Sequence, residues 1–299
     1  MVGCVRMCIR DSPEPGEYWH SWQYHAAAQR ETHYRDGAVF ANCVRPTQAL
    51  LRSQAGRCAG CHLTLLPVTE ELKWSSAKLR TLLLRRLRLP LDLDDRRCKC
   101  GGLLDSLGDH RAACSTVGLL QTRAIPLERA WARVCREAGG RVKTNSYLRD
   151  LNLTGVHTTD ERRLEVVVSG LPLHHGAQVA VDATLVSPVG RSGKAHAKTH
   201  WLDGAALARA VHKKQEETYP ELLHSRRCRL LVAGQEVGGR WNEEAYDFVL
   251  ALAQHKAESS PAGLRGSAVH SWTKVNKHAV QSCNEHFGSH TPLRAQWRG

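Results

Sequence analysis

The hydrophobic pattern of the chain is clearest between residues 162 and 188, in RRLEVVVSGLPLHHGAQVAVDATLVSP. Two runs rich in valine and alanine flank a segment of glycine, proline and histidine, and β-branched residues between such breakers favour strands. Apolar residues fall on both faces of each run, which predicts strands covered on both sides. One acid stands within each run, Glu165 in the first and Asp182 in the second. The pattern therefore predicts a buried hairpin with an acid in each strand.

The pairing of these strands decides where the two acids lie. A hairpin symmetric about Leu173 and His174 places Glu165 directly opposite Asp182, with both carboxylates on one face and roughly 5 Å apart. Two carboxylates held that close in an apolar sheet need a counter-charge, and a divalent cation such as Mg²⁺ or Mn²⁺ accepts oxygen ligands of this kind. The alternative is a pair of acids salt-bridged to arginines. Both interpretations stay open at this point.

The flanking segments predict helices and one more strand. Residues 126–140 form a helix with Pro126 in its first turn, and 141–153 are a strand or irregular. A second helix, capped by Asp203, runs to Tyr219 before Pro220. Residues 228–237 are a buried strand with Gly-Gly-Arg-Trp as its turn, and the chain beyond is amphipathic helix. In the second helix, Leu207, Val211 and Lys214 share one stripe, so Lys214 lies at the margin of the buried face and can reach a nearby anion.

The charge of the chain points to a polyanionic partner. The 299 residues carry a net charge of +13 with a pI near 9.5, and no amphipathic anchor or lipidation motif favours a membrane surface over nucleic acid. No run of 18 apolar residues predicts a membrane span, and the first residues carry no apolar stretch of the secretory type. Eleven cysteines, mostly scattered singly, favour a reducing compartment and the use of any cysteine cluster as a metal site.

A basic helix is predicted between Glu70 and Leu89, ended by Pro90. Its non-leucine positions include four arginines that either contact phosphate groups or form a solvated basic face: Arg80, Arg85, Arg86 and Arg88.

Cysteine and histidine next cluster between residues 98 and 114. A C-x-C-x9-H-x3-C set predicts a closed, tetrahedral structural zinc site formed by Cys98, Cys100, His110 and Cys114. Its weak point is the first pair, because two cysteines separated by one residue bind a single metal ion less readily than two cysteines separated by two residues. A separate Cys58-Ala-Gly-Cys61-His62 lacks two further ligands nearby, so it is a weak candidate for a second zinc.

The order of these features resembles a known family. A zinc-knuckle-like CKC…H…C, a helix, a strand with an acid, Val-Asp-x-Thr-Leu-Val, and a helix with lysine followed by tyrosine resemble the C-terminal end of non-LTR retrotransposon polyproteins. That region carries a restriction-like endonuclease of the PD-(D/E)XK superfamily. The resemblance covers residues 49 to 299, and its most specific parts are residues 162–188, residues 203–222 and Glu-Val-Gly-Gly-Arg-Trp.

The resemblance implies a fold and a domain order. We expect an α/β chain with a restriction-endonuclease-like mixed sheet flanked by helices over residues 119–299. A helical basic region at 1–95 and a CCHC-like zinc knuckle at 96–118 precede it. No Tyr-x-Asp-Asp motif of a reverse transcriptase occurs, so we expect a detached tail of such an element.

The resemblance also implies the roles of individual residues. Glu165 and Asp182 would bind catalytic Mg²⁺ or Mn²⁺, and Lys214 or its neighbour Lys213 would complete the site, with Tyr219 matching the aromatic residue after that lysine. The chain departs from the pattern of this family at two positions. The first acid is Glu rather than Asp, and Thr184 stands where many such nucleases have their lysine. Other basic side chains are expected to flank the site in loops, where they contact phosphate or are simply solvated: His174, His175, Lys194 and Lys198.

The implied activity is metal-dependent hydrolysis of a DNA phosphodiester in the nucleus, with the RNA of the parent element as a further partner. Two alternatives remain. One is a catalytically inactive DNA-binding remnant that keeps the fold and basic surface, and the other is a junction-resolving or repair nuclease of the same superfamily. The intact set of Glu, Asp and Lys favours an enzyme.

Overall fold

The computed structural model of the protein describes residues 22–56, 59–60, 63, 73, 75–91, 97–116, 119–258 and 261–264. The chain divides into two compact units, Met1–Val44 and Arg45–Gly299. In the first unit, helix α1 (Trp22–His33) continues into a π-helical turn (Tyr34–Val39). The domain boundaries expected near residues 95 and 118 stay predictions.

A mixed sheet forms the centre of the second unit. In the described part of the chain its strands lie in the order β1 (Arg141–Tyr147), β2 (Arg163–Ser169), β3 (Gln178–Val186) and β4 (Cys228–Glu236). The first three are antiparallel neighbours, and β4 runs parallel to β3. A parallel neighbour requires a crossover connection, and the helical segment between β3 and β4 provides it. The expected mixed α/β sheet is confirmed, and residues 141–147, which were ambiguous in sequence, are a strand.

Helices cover both faces of this sheet. In the part of the second unit that the structure describes, the helices are α2 (Arg45–Ser53), α3 (Ser76–Arg86), α4 (Asp109–Ala113), α5 (Leu119–Glu137), α6 (Ala205–His212), α7 (Pro220–Leu223) and α8 (Glu243–Glu258). The core on one face joins α5 and α8 to alternate positions of the strands, with Trp131, Trp241 and Phe248 at its centre. The core on the other face joins the intervening strand positions to Tyr219 and Leu222. Strands covered on both sides explain the continuous apolar runs of the sequence.

The predicted register of the central hairpin is confirmed. Val166 pairs with Val181, and Val168 pairs with Val179. This register is symmetric about the Leu173–His174 bond, and its next position is Glu165 opposite Asp182. The two acids therefore lie on adjacent strands, as the spacing predicts.

Three local predictions are wrong, each because a tertiary contact outweighs a local signal. Helix α5 begins at Leu119, so Pro126 lies inside the helix rather than in its first turn; packing of the helix on the sheet outweighs the lost backbone bond. Asp203 caps no helix, because its carboxylate accepts hydrogen bonds from Arg52 and Arg240 and Gly204 takes the cap position. Helix α3 ends at Arg86 rather than near Pro90, since Arg88 adopts φ 57° and pairs with Asp109.

The described residues contain no helix of the length and apolar character that crossing a membrane requires.

A close backbone approach holds α2 against the turn after β4. A Cβ atom on Gly238 would meet the Ser53 Oγ at 2.1 Å and the Ser53 carbonyl carbon at 2.6 Å. We expect Gly238→Ala to destabilise the protein by about 1–3 kcal/mol, since overpacking of this kind forces backbone shifts. Thermal unfolding measures the effect. Gly60→Ala is the control, because no atom lies within 4 Å of its added Cβ; equal melting temperatures for the two variants would contradict the close approach.

Candidate catalytic and metal-binding sites

The hairpin acids meet a lysine from the following helix. Asp182 is completely buried, and its two oxygens accept hydrogen bonds from Thr184 Oγ1 at 2.6 Å and Lys214 Nζ at 2.7 Å. The Glu165 carboxylate reaches across to β3, where its Oε2 accepts a bond from the Ala183 backbone amide at 3.3 Å. Three sequence-predicted side chains therefore converge. The counter-charge of Asp182 is a lysine, and no arginine takes that place in the described part of the chain.

The pairing of β1 with β2 is irregular at Glu165. The β1–β2 register pairs Thr144 with Val166 and Ser146 with Leu164, but the intervening pair of Asn145 and Glu165 is missing. Asn145 lies in the left-handed region at φ 53°, a conformation that asparagine tolerates better than most residues. Leu164 and Val167 contribute to the same core although they are three positions apart, so the strict alternation of faces is interrupted between these two residues. The interruption coincides with Glu165, whose pairing with β1 is missing although the register is the same on both sides of it.

The winding of the chain after α6 places Lys214. Residues Lys213–Thr218 form a π-helical turn, a rare structure that is frequently found at functional sites. Lys214 is half-buried and reaches Asp182, whereas Lys213 is exposed. The structure thus separates two lysines that the sequence left as alternatives.

Two contacts to the start of β2 hold this turn in place. Arg162 binds the Glu221 carboxylate with both terminal nitrogens, at 2.6 and 3.2 Å, and donates to the Thr218 carbonyl. The Tyr219 hydroxyl donates to the Arg163 carbonyl at 2.7 Å. Strand β2, which carries Glu165, is therefore hydrogen-bonded to the segment that follows Lys214.

Burial disfavours the ionised form of Glu165. Burial, and next the Asp182 carboxylate, raise the pKa of Glu165 to about 8, with Lys214 opposing the change. Burial together with the two acids also raises the pKa of Tyr219. An acid whose ionised form is disfavoured by its surroundings gains from a bound cation, because the cation restores the charged form.

A third acid near the pair was missed in the sequence. Glu128 on α5 is half-buried, and burial followed by the charge of Asp182 raises its pKa. Its own charge also acts on Glu165. Sequence periodicity shows only that Glu128 borders the apolar face of its helix, and no local signal brings it to a strand some fifty residues away. Among the described residues, however, the one group of three or more ligand-type side chains with converging atoms is the cysteine–histidine cluster, so Glu128 does not complete a three-acid cage here.

The predicted zinc ligands converge on a second site. The ligand atoms of Cys98, Cys100, His110 and Cys114 all lie within 4.8 Å of one another. The Cys98 and Cys114 sulfurs are 3.8 Å apart, and Cys100 Sγ lies 3.2 Å from His110 Nε2. With bonds of ~2.3 Å from sulfur to zinc, a tetrahedral site requires sulfurs roughly 3.8 Å apart. These residues form a cluster that can bind a metal such as zinc.

The surroundings of the cluster suit a metal. His110 Nδ1 donates to the Arg191 carbonyl at 2.9 Å, which leaves the lone pair of Nε2 facing the thiols; this is the usual arrangement of a metal-bound histidine. Burial acts to raise the pKa of Cys114, but bonds from the Thr116 amide and from Cys100 and Cys98 outweigh it and lower the pKa to about 7. A thiolate accessible at neutral pH is the form that binds zinc.

Removing one ligand tests this site. We expect the wild type to hold one zinc ion per chain and Cys114→Ser to hold none, because three ligands of this set bind zinc far more weakly than four. Elemental analysis after dialysis gives the content of each. Cys135→Ser is the control, since Cys135 is a buried thiol outside the cluster. An equal zinc content per chain in wild type and Cys114→Ser would show that these four residues do not form a zinc site.

The predicted phosphate-binding residues divide into exposed and engaged groups. Arg80, Lys194 and Lys198 are exposed. Arg86 donates to the Gly238 carbonyl at 3.1 Å, and the largely buried Arg88 guanidinium binds both oxygens of Asp109, at 2.7 and 2.9 Å. Two of the predicted phosphate-binding arginines, Arg86 in α3 and Arg88 just after it, therefore make internal contacts.

One further predicted pair, the two histidines of the central turn, lies away from the acids. His174 and His175 are exposed in the turn that joins β2 to β3, beyond the Val168–Val179 pair. At ~3.3 Å per residue, this pair alone is roughly 10 Å from the position of Glu165. They therefore do not flank the site. Cys58, Cys61 and His62 lie outside the described residues.

Comparisons with known proteins return nothing for this chain: no family model matches it, and no curated protein or solved structure does.

Proposed function

We propose that this chain is a divalent-metal-dependent DNA endonuclease in which Glu165, Asp182 and Lys214 form the reaction centre. The observation that carries the proposal is a pair of acids on adjacent strands, Asp182 fully buried and Glu165 partly buried, with an ammonium 2.7 Å from Asp182. Desolvated carboxylates of this kind cluster at functional sites. The resemblance to the restriction-like endonuclease of non-LTR retrotransposons supplies the reaction class.

Each residue has a task in phosphodiester hydrolysis. Mg²⁺ or Mn²⁺, when bound, would polarise the phosphate and lower the pKa of the attacking water. Glu165 and Asp182 would supply the carboxylate oxygens that hold the ion. Lys214 donates hydrogen bonds to the non-bridging phosphate oxygen on which negative charge develops. Water adds to phosphorus, the bond to the leaving oxygen breaks, and that oxygen takes up a proton.

The chain order supports a finer assignment of the fold. Helix α5 precedes three antiparallel strands, and α6 leads to a fourth strand parallel to the third. We assign this mixed sheet to the restriction-endonuclease-like class, with the acids on its two central strands. A zinc ion at the cysteine–histidine cluster would serve structure and the placement of DNA, because four protein ligands leave no open position for chemistry.

Nicking of supercoiled plasmid by the purified chain tests the proposal. We expect nicked circles in Mg²⁺ or Mn²⁺ and none with a chelator present. The test also separates the alternatives. Binding of plasmid without nicking in either ion would identify an inactive DNA-binding remnant, and strong preference for a four-way junction over plasmid would identify a junction-resolving nuclease.

The binding of DNA is expected to depend steeply on salt and little on base sequence. With about six phosphate contacts, the affinity should fall by roughly 10³-fold between 50 and 200 mM salt, because each contact releases counterions. The net charge of +13 and the exposed Arg80, Lys194 and Lys198 motivate this expectation. Fluorescence anisotropy with two unrelated duplexes measures it. A flat dependence on salt would show that the basic surface does not contact DNA.

A further inference from the structure

The His110 side chain joins the cysteine–histidine cluster to the loop between β3 and α6, and Arg191 of that loop also donates to Thr116 Oγ1 at 3.5 Å. His110 is 4% exposed, with Nε2 facing Cys100 and Nδ1 bonded to the Arg191 carbonyl at 2.9 Å. A carbonyl only accepts, so Nδ1 must carry the proton, and Nε2 is then the atom free to bind a metal. Both nitrogens of one ring are thus assigned, one to the cluster and one to a loop 81 residues away in sequence.

The ring is held tightly between these partners. A Cβ atom on Gly102 would lie 2.5 Å from His110 Cε1, so the backbone of the metal-binding turn packs directly against the ring. Asp105 accepts hydrogen bonds from the backbone amides of Asp109 and His110, at 3.0 and 2.6 Å. The orientation of His110 therefore follows the geometry of the whole turn.

The loop that receives this bond joins the two halves of the proposed reaction centre. It begins directly after β3, which carries Asp182, and it leads into the helix that continues to Lys214. Within it, Val189 bridges to Ala195, and the Gly190 and His196 amides donate to the Lys194 and Pro188 carbonyls. Its exposed tip carries Lys194.

We propose that His110 is a positioning residue through which a metal ion at the cysteine–histidine cluster holds the β3–α6 loop in place. A metal bound to Nε2 fixes the tautomer and the direction of the ring, and the Nδ1 proton then holds the Arg191 carbonyl. Without metal, the ring and the three thiols lose their common centre, and this bond weakens. Where the proposed function holds, metal at the cluster also prepares Lys194 and Lys198 for contact with the DNA backbone.

Hydrogen exchange of the full chain tests the coupling directly. The probes are the bonded amides of Gly190, Gly193 and His196, and amides in the middle of β2 and β3 are the internal reference. We expect removal of zinc from the wild type to speed exchange at the loop probes by roughly fivefold or more, the effect of one weakened hydrogen bond, with the reference amides unchanged. Loop exchange that is indifferent to zinc would overturn the proposal.

The variant His110→Cys separates metal binding from the link. Four cysteines also bind zinc and Co²⁺ tetrahedrally, but a cysteine has no second donor for the Arg191 carbonyl. We expect one Co²⁺ per chain, with the visible spectrum of a four-sulfur site, and loop exchange as fast as in metal-free wild type. His212→Cys, a change at an exposed histidine on α6, is the matched control. A Co²⁺-loaded His110→Cys whose loop exchanges as slowly as wild type would overturn the proposal.

A second variant decides the case in which His110→Cys binds no ion. Gly102→Ala keeps all four ligands but presses a methyl group against the ring. We expect metal still to bind and the loop probes to exchange faster; unchanged loop exchange would again overturn the proposal. DNA affinity of the loaded proteins is measured beside exchange. A loop that responds to metal while DNA affinity does not change would leave the coupling intact and count against DNA contact by the loop.

Discussion

Asp182→Asn is expected to abolish Mg²⁺-dependent cleavage of DNA while leaving the affinity for DNA nearly unchanged or slightly raised. The substitution keeps the shape of a completely buried side chain and removes the charge that binds the ion. Loss of groups that merely support a metal ligand costs ~10–100-fold in activity, so loss of the ligand itself should cost at least ~100-fold. Binding has no reason to fall, because a negative charge beside the phosphate is removed. Plasmid nicking and anisotropy measure the two effects separately.

The neighbouring lysines provide a matched pair for this experiment. Lys214→Ala should slow cleavage by about 10²-fold or more, because it removes a donor aimed at developing charge, and should weaken DNA binding only slightly. Lys213→Ala should leave cleavage close to wild type, since Lys213 is exposed at the first position of the turn. If Lys213→Ala slowed cleavage more than Lys214→Ala, the catalytic role would belong to Lys213. Equal nicking by wild type and Asp182→Asn would end the proposal of an enzyme at this site.

Glu165→Gln is expected to stabilise the protein at pH 8 while destroying its response to Mg²⁺. The pKa of Glu165 is raised from 4.5 to about 8 in the folded protein, so between these values the folded state holds more protons than the unfolded chain. The wild type therefore loses stability as the pH rises from about 5 to 8. Glutamine cannot ionise and avoids this loss. Because a tenfold change in proton affinity corresponds to ~1.4 kcal/mol, the gain in the free energy of unfolding at pH 8 should be roughly 1–4 kcal/mol.

Magnesium reverses this loss in the wild type alone. A cation that binds the ionised pair stabilises the folded state, so Mg²⁺ should raise the melting temperature more at pH 8 than at pH 6. Thermal melts at both pH values, with and without Mg²⁺, measure the linkage. Glu216→Gln is the control, since Glu216 is an exposed acid on the same helical turn as Lys214. An equal effect of Mg²⁺ on Glu165→Gln and wild type would show that the ion binds elsewhere.

Much of the candidate site follows from local patterns. Strand periodicity and the central turn predict the register that places Glu165 opposite Asp182, because the two acids lie at equal distances from the turn and paired residues of a hairpin share one face. Helical periodicity predicts that Lys214 borders the buried face. The spacing of Cys98, Cys100, His110 and Cys114 predicts their convergence, since the short segments between them allow few other arrangements.

The chain by itself thus determined the pairing of β2 with β3, the matching positions of Glu165 and Asp182 on these strands, and the gathering of the thiols, all of which depend on neighbours close in sequence. Only the tertiary structure decided between Lys213 and Lys214, because a π-helical turn changes the winding at that point. It also brought Glu128 toward the acids, drew Asp203 to Arg52 and Arg240, and joined His110 to the Arg191 carbonyl. These contacts join segments far apart along the chain. Their partners are set by how helices pack on the sheet, which no local periodicity records.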